Sequence, residues 1–158
     1  MNRDKKILVI GIGSEYRSDD RVGIEIARSL KTKILQNVEI VVESGDVAAL
    51  MERWNEAETV ILIDAVSSGA ELGNIHRIDV NKQQIPSAFF HSSTHAFGIA
   101  EAVEIARSLH QLPSKIIIYG IEGNNFGVGG EVSSAVIAAI EPTVKLIIDE
   151  IKSLTDLT

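Results

Sequence analysis

KILVIGIGSEYRSDDRVGIEIARSL, residues 6–30, sets the architecture. Lys6–Ile12 is an apolar, β-branched run that stops at glycines, the pattern of a strand buried on both faces. From Asp19 to Leu30 the apolar residues Val22, Ile26, Ala27 and Leu30 recur at helix spacing, and Ser18 or Asp19 is a natural cap. A buried strand followed at once by an amphipathic helix is the opening unit of a parallel sheet with helices packed on it.

The remaining chain repeats that alternation. Val38–Glu43 reads as a second strand, Val47–Trp54 as a short helix, and Thr59–Ala65 (TVILIDA) as a third strand, apolar up to its aspartate. Gly73–Val80 alternates polar and apolar residues, which predicts an edge strand with one wet face. Asn81–Ser93 has no clear period and contains Pro86, so a long loop is expected. A helix over Thr94–Leu109, a buried strand over Lys115–Gly120 and a glycine-rich loop over Gly123–Gly130 follow. Glu131–Leu154 is largely helical in pattern, with Pro142 expected to break or restart it. The fold class is α/β: a three-layer α/β/α sandwich with a mostly parallel sheet, formed as one domain over residues 1–158.

Composition narrows the function. The 158 residues carry 15 Lys+Arg against 22 Asp+Glu, a net charge of −7, which argues against nonspecific binding to nucleic acid or to an anionic membrane surface. Cysteine is absent, which excludes disulfides, thiolate metal sites and a cysteine nucleophile. Any metal must therefore be held by Asp, Glu or His. No stretch approaches the ~18 apolar residues of a membrane span, and the apolar run after Lys6 is too short for a signal peptide. A cytoplasmic protein is expected.

Ligands of open α/β sheets bind beyond the carboxyl ends of the strands. Those ends carry Gly11–Gly13 with Asp19 and Asp20, Glu43 to Asp46, Asp64, and Gly120 to Gly123, and the helix preceded by His91 and containing His95 begins on the same side. One acid at a helix start suffices as a cap, and Asp19 and Asp20 are two. Asp64 follows a strand of a type that rarely admits a charge. His95 lies in a first helical turn, where the helix dipole disfavours imidazolium and so favours the neutral, metal-ligating ring. Asp20, Asp64 and His95 together would make a ligand set of two carboxylates and one imidazole, with His91 as the competing histidine. Such donors suit zinc, nickel or iron and leave positions open for water or substrate. His76 and His110 read as structural.

Two other function classes share these features. Gly11-Ile12-Gly13 after a strand, with Glu43 ending the next, is a partial dinucleotide-binding pattern, but its third glycine would fall on Tyr16, and Asp19 and Asp20 would repel a pyrophosphate. A noncatalytic interaction module would fit the acidic rim but gives no reason for Asp64.

Four segments, in order, resemble the signatures of the hydrogenase maturation proteases: ILVIGIGSEYRSDDRVGIEIARSL, VILIDAV, SSTHAFGIAEAVEIA and YGIEGNNFGVGGEVSSAVIAAI. The resemblance runs from about Ile7 to Ile151. It implies a twisted five-stranded sheet between helices. It also implies a cytoplasmic endopeptidase of aspartic type that removes a C-terminal peptide from the precursor of a nickel–iron hydrogenase large subunit. Nickel already inserted in that precursor would be the recognition element, and the metal-contacting positions of the family fall on Asp20, Asp64 and His95. The chain departs from the family pattern at Ser14, where Asn is usual, at Glu15, Tyr16 and Arg17, where apolar residues are usual, and at Arg21, where a small residue is usual. Asp20 stands where close relatives often have Glu, and Glu43-Ser44-Gly45-Asp46 replaces an Asp-Gly-Gly-Thr loop. Hydrolysis would use either a metal or a carboxylate such as Asp20 to activate water; no Gly-x-Ser-x-Gly elbow is present to support a serine triad. The expected state is a monomer or weak homo-oligomer.

Overall fold

The computed structural model describes residues 6–33, 36–44, 46–55, 57–86, 89 and 94–155, with backbone alone for 94–98. The strands are β1 (Ile7–Ile12), β2 (Val38–Glu43), β3 (Thr59–Val66), β4 (Ile75–Asp79) and β5 (Lys115–Glu122); the helices are α1 (Val22–Lys31), α2 (Val47–Trp54), α3 (Thr94–Ser108) and α4 (Ser134–Thr155). The sheet order is β2-β1-β3-β5-β4. All neighbours are parallel except β4, which runs antiparallel to β5. Sequence dictates that order: ILVIGI, TVILIDAV and KIIIYGIE are buried essentially end to end and occupy the interior, whereas VEIVVE and IHRID carry charges that reach water only at an edge.

Alternation along the strands sorts the core into two layers. Leu8, Ile10, Val60, Leu62, Ile116 and Ile118 pack against Leu50 and Trp54 of α2 and Ile99, Ala102, Val103 and Ala106 of α3. Ile7, Val9, Ile61, Ile63, Ile117 and Tyr119 pack against Val22, Ile26 and Leu30 of α1 and Val136, Val144, Ile147 and Ile151 of α4. Helices therefore cover both faces, as the alternating pattern predicts.

Two local expectations are corrected. The helix expected from Asp19 begins instead with a 3₁₀ turn over Ser18–Arg21 and becomes α-helical at Val22, and no side chain caps either start. The acids that would have capped it are turned to other uses, described below. Pro142 does not interrupt α4, which is continuous from Ser134 to Thr155. Proline removes one helical hydrogen bond, to the carbonyl of Ala138. Burial of Val136, Ala139, Thr143, Val144, Ile147 and Ile151 on both sides of it outweighs that loss, and the Thr143 hydroxyl donates to the neighbouring carbonyl of Ala139 at 2.7 Å. Among the described residues no helix is long and apolar enough to cross a membrane.

Candidate active site

The direction of the chain reverses between β1 and β3: β1 leads through α1 on one face to β2, and β2 returns through α2 on the other face to β3. A crevice opens at such a switch point beyond the carboxyl ends of the two strands. Asp20 follows β1 and Asp64 lies near the end of β3, so both stand toward the carboxyl edge of adjacent strands.

Glycines bring the Asp20 turn down onto the sheet. A Cβ on Gly13 would run into the Asp20 carbonyl, and one on Gly23 would meet the carbonyls of Ile12 and Ile63. Without those Cβ atoms, α1 starts in direct contact with the ends of β1 and β3, and Asp20 is buried to 2% exposure. Asp64 is fully buried. Alternation with Leu62 and Val66 places it on the face that α2 and α3 cover. Its Oδ1 accepts a 2.8 Å hydrogen bond from the N–H of Ala65, and its register partner on β5 is Gly120. Because α3 feeds into β5, which parallels β3, α3 must start at the same carboxyl edge. His95 is its second residue; the side chain of His95, and all of His91, lie outside the described residues. Among the described residues no three His, Asp or Glu side chains gather as a metal cage.

The two neighbouring acids divide their labour. Asp19, also fully buried, accepts hydrogen bonds at Oδ2 from the N–H groups of Asn124 and Asn125, both 3.1 Å, and from the Ser133 hydroxyl at 2.8 Å; Oδ1 accepts from the Ser133 N–H at 2.7 Å. It fastens the glycine-rich loop to the β1–α1 connection and is structural. Asp20, the next residue, is buried beside it and donates its N–H to the carbonyl of Arg17 at 2.7 Å.

A further buried acid was given no role by sequence reasoning. Glu122, 2% exposed at the end of β5, accepts from the Ser68 N–H at 2.8 Å, the Ser68 hydroxyl at 2.6 Å and the Gly69 N–H at 3.2 Å, and pairs with His76 Nε2 at 3.0 Å. The signal was the one that marks Asp64, an acid closing an apolar strand. His76 meets Phe89 edge-on, with ring centroids 4.7 Å apart, and Phe89 in turn accepts from the Ser67 N–H at 2.8 Å. His76 is therefore structural, as expected. So is His110, which takes the left-handed conformation (φ 55°) beyond the end of α3.

The dinucleotide alternative loses its anchors here. Glu43 is in an ion pair with Arg53 at 2.6 Å, and the 3₁₀ turn with two buried acids sits where a pyrophosphate would need free N–H groups. Comparison with known proteins agrees. Residues 24–150 match the family model of the HycI hydrogenase maturation proteases. The chain belongs to the hydrogenase maturation protease family. As such it is a peptide hydrolase of hydrogenase maturation, which also sets aside the noncatalytic alternative. It is 28% identical over 158 residues to a Methanocaldococcus jannaschii protein named for the same family, with 95% of this chain and 99% of that one aligned. It is 22% identical over 146 residues to the hydrogenase 2 maturation protease of Escherichia coli, covering 90% and 88% of the two chains. The structure of the hydrogenase maturating endopeptidase HybD from E. coli superposes with a TM-score of 0.79 at 21% identity over 94% of this chain and 93% of that one. HybD from Thermococcus kodakarensis superposes at 0.72, with 22% identity and coverages of 91% and 97%. At these identities the structural likeness speaks to the fold, and a family fold of five strands between helices is what the motifs implied.

Proposed function

We propose that this hydrogenase maturation protease removes a C-terminal peptide from the nickel-loaded precursor of a nickel–iron hydrogenase large subunit, in the cytoplasm, and that Asp20, Asp64 and His95 are its catalytic and metal-contacting residues. The observation that supports the reading is Asp64, a fully buried carboxylate near the end of a central apolar strand, with Asp20 buried after the neighbouring strand. Burying a carboxylate is costly unless a charge or dipole compensates it, and a divalent cation is a strong compensator. His95, in the first turn of a helix that starts at the same edge, completes a donor set suited to nickel, and to zinc in the isolated protein.

In this reading nickel arrives with the substrate. A precursor without it forgoes three ligand bonds and binds weakly, so the site inspects metal insertion before cleavage. Held there by Asp20, Asp64 and His95, the metal would polarise the neighbouring peptide carbonyl and acidify water. In the alternative, a carboxylate such as Asp20 would serve as the base for the attacking water. Asp64 and His95 hold the metal-bearing segment in place. The decisive experiment incubates the protein with nickel-loaded and nickel-free precursor and reads the C-terminus by intact mass. Only the loaded precursor should be shortened. Equal cleavage of both sinks the inspection role, and cleavage of neither sinks the substrate assignment. His95→Ala should abolish processing while His91→Ala has the milder effect.

A further inference from the structure

Beside the crevice, two loops are bolted into one surface. The Gly129 N–H donates to the carbonyl of Tyr16 at 3.0 Å, the Ser18 hydroxyl to the carbonyl of Gly127 at 2.9 Å, and the Asp19 N–H to the carbonyl of Asn125 at 2.8 Å, in addition to the four bonds made by the Asp19 carboxylate. The braced loops expose two apolar side chains, Tyr16, 77% exposed, and Val128, 72% exposed, which the Gly129–Tyr16 bond brings to the same place on the surface. Arg17, next in the chain to Tyr16, is also exposed, and its carbonyl accepts the Asp20 N–H at 2.7 Å, which ties this surface to the Asp20 turn. Arg21, Arg28 and Arg53, the other arginines near this rim, each have a glutamate partner: Glu25, Glu15 and Glu43. Arg17 makes no ion pair among the described residues. An uncompensated cation on a chain of net charge −7 is a local exception to the field of the whole molecule.

We infer that Tyr16, Val128 and Arg17 form the specificity surface for the precursor, taking an apolar side chain of the segment next to the cleaved bond against Tyr16 and Val128 and an acidic side chain of that segment against Arg17. The inference rests on the peptidase reading above and names what that site grips besides the metal. Charge complementarity selects the occupant: Arg17, the cation of this surface with no ion pair among the described residues, takes an acidic side chain and so fixes the register. Cross-bracing by Asp19 holds the surface ready before the substrate arrives, which limits the ordering cost of binding.

The test measures kcat and KM for nickel-loaded precursor cleavage. Tyr16→Ser/Val128→Ser should raise KM roughly tenfold, the worth of one buried apolar side chain, with kcat kept within about twofold. Arg17→Glu should raise KM similarly, and a precursor whose acidic residue nearest the cleavage site is replaced by Lys should restore it. Leu146→Ser, 44% exposed and far along α4, serves as the control and should change neither constant. A wild-type protein that cleaves while both variants keep its KM overturns the specificity surface alone. A wild-type protein that leaves the loaded precursor intact overturns the peptidase reading and this inference together.

Discussion

The carboxylate of Asp19 holds Ser133 by both its N–H, at 2.7 Å, and its hydroxyl, at 2.8 Å, across 114 residues of sequence. The bond pair joins the connection after the first strand to the approach of the last helix. It determines where Asp20, the next residue, can lie.

Removal of that carboxylate should be expensive. Asp19→Ala leaves the N–H groups of Asn124, Asn125 and Ser133 without their acceptor. A loss of about 3 kcal/mol in unfolding free energy is expected, with Asp19→Asn costing about half of that because one acceptor oxygen survives. Urea denaturation reads the cost. Hydrogen exchange should accelerate at residues 124–133 before it does so in the core.

Gly23 is the contact that lowers α1 onto the sheet. In Gly23→Ala the methyl group would meet two backbone carbonyls, Ile12 and Ile63, and neither can rotate aside. Destabilisation of roughly 2–3 kcal/mol is expected. Precursor cleavage should fall further than stability does, because the helix start carries the Asp20 turn away from β3. A Gly23→Ala protein with unchanged melting would show that the approach is slack.

Asp64→Asn separates charge from shape. The amide oxygen can keep the bond from the Ala65 N–H, so the protein should still fold cooperatively. Processing of nickel-loaded precursor should drop by at least roughly a hundredfold, since the anionic donor is gone. Circular dichroism and intact-mass assays on the same preparation check both halves.

One pH dependence is built into the far face. Arg77 of β4 holds Glu150 of α4 with two bonds, at 2.7 and 3.0 Å, and the Tyr119 hydroxyl of β5 donates to the same carboxylate at 2.6 Å. The Arg77 hydrogen bonds, followed by that of Tyr119, outweigh burial and hold the Glu150 carboxyl below the usual glutamate range, while burial first and then Glu150 push the Tyr119 hydroxyl up. A depressed carboxyl stabilises the fold fully above its unfolded pKa, ~4.3, and loses that contribution as pH falls through the lower folded value. Glu150→Gln should therefore be about 1–2 kcal/mol less stable than wild type near neutrality, a figure reduced for the half-exposed Arg77. The gap should close on acidification below pH ~4. A gap that stays constant down to pH ~3 would remove the ion pair from the account.

The architecture was written in the periodicity. ILVIGI, TVILID and KIIIYG are apolar without alternation, and that alone places them inside a sheet covered on both faces. The edge position of Ile75–Asp79 was readable from its alternation. Asp64 was readable as an exception, a charge at the end of a run that does not tolerate one. These are local signals, because the burial of a strand residue is imposed on its own composition.

What the chain could not reveal alone was the structural use of Asp19, one of two adjacent, chemically identical acids. Asp19 and Asp20 differ only in what lies opposite them after folding, and the partners of Asp19 come from residues 124–133. The same is true of Glu122, whose partners Ser68, Gly69 and His76 belong to a turn and an antiparallel strand that pairing brings beside it. Pro142 was misjudged for the converse reason: a local rule yielded to packing along the whole length of α4. Local patterns report which groups must leave water. The partners that compensate buried charge come from distant segments, and folding alone brings them together.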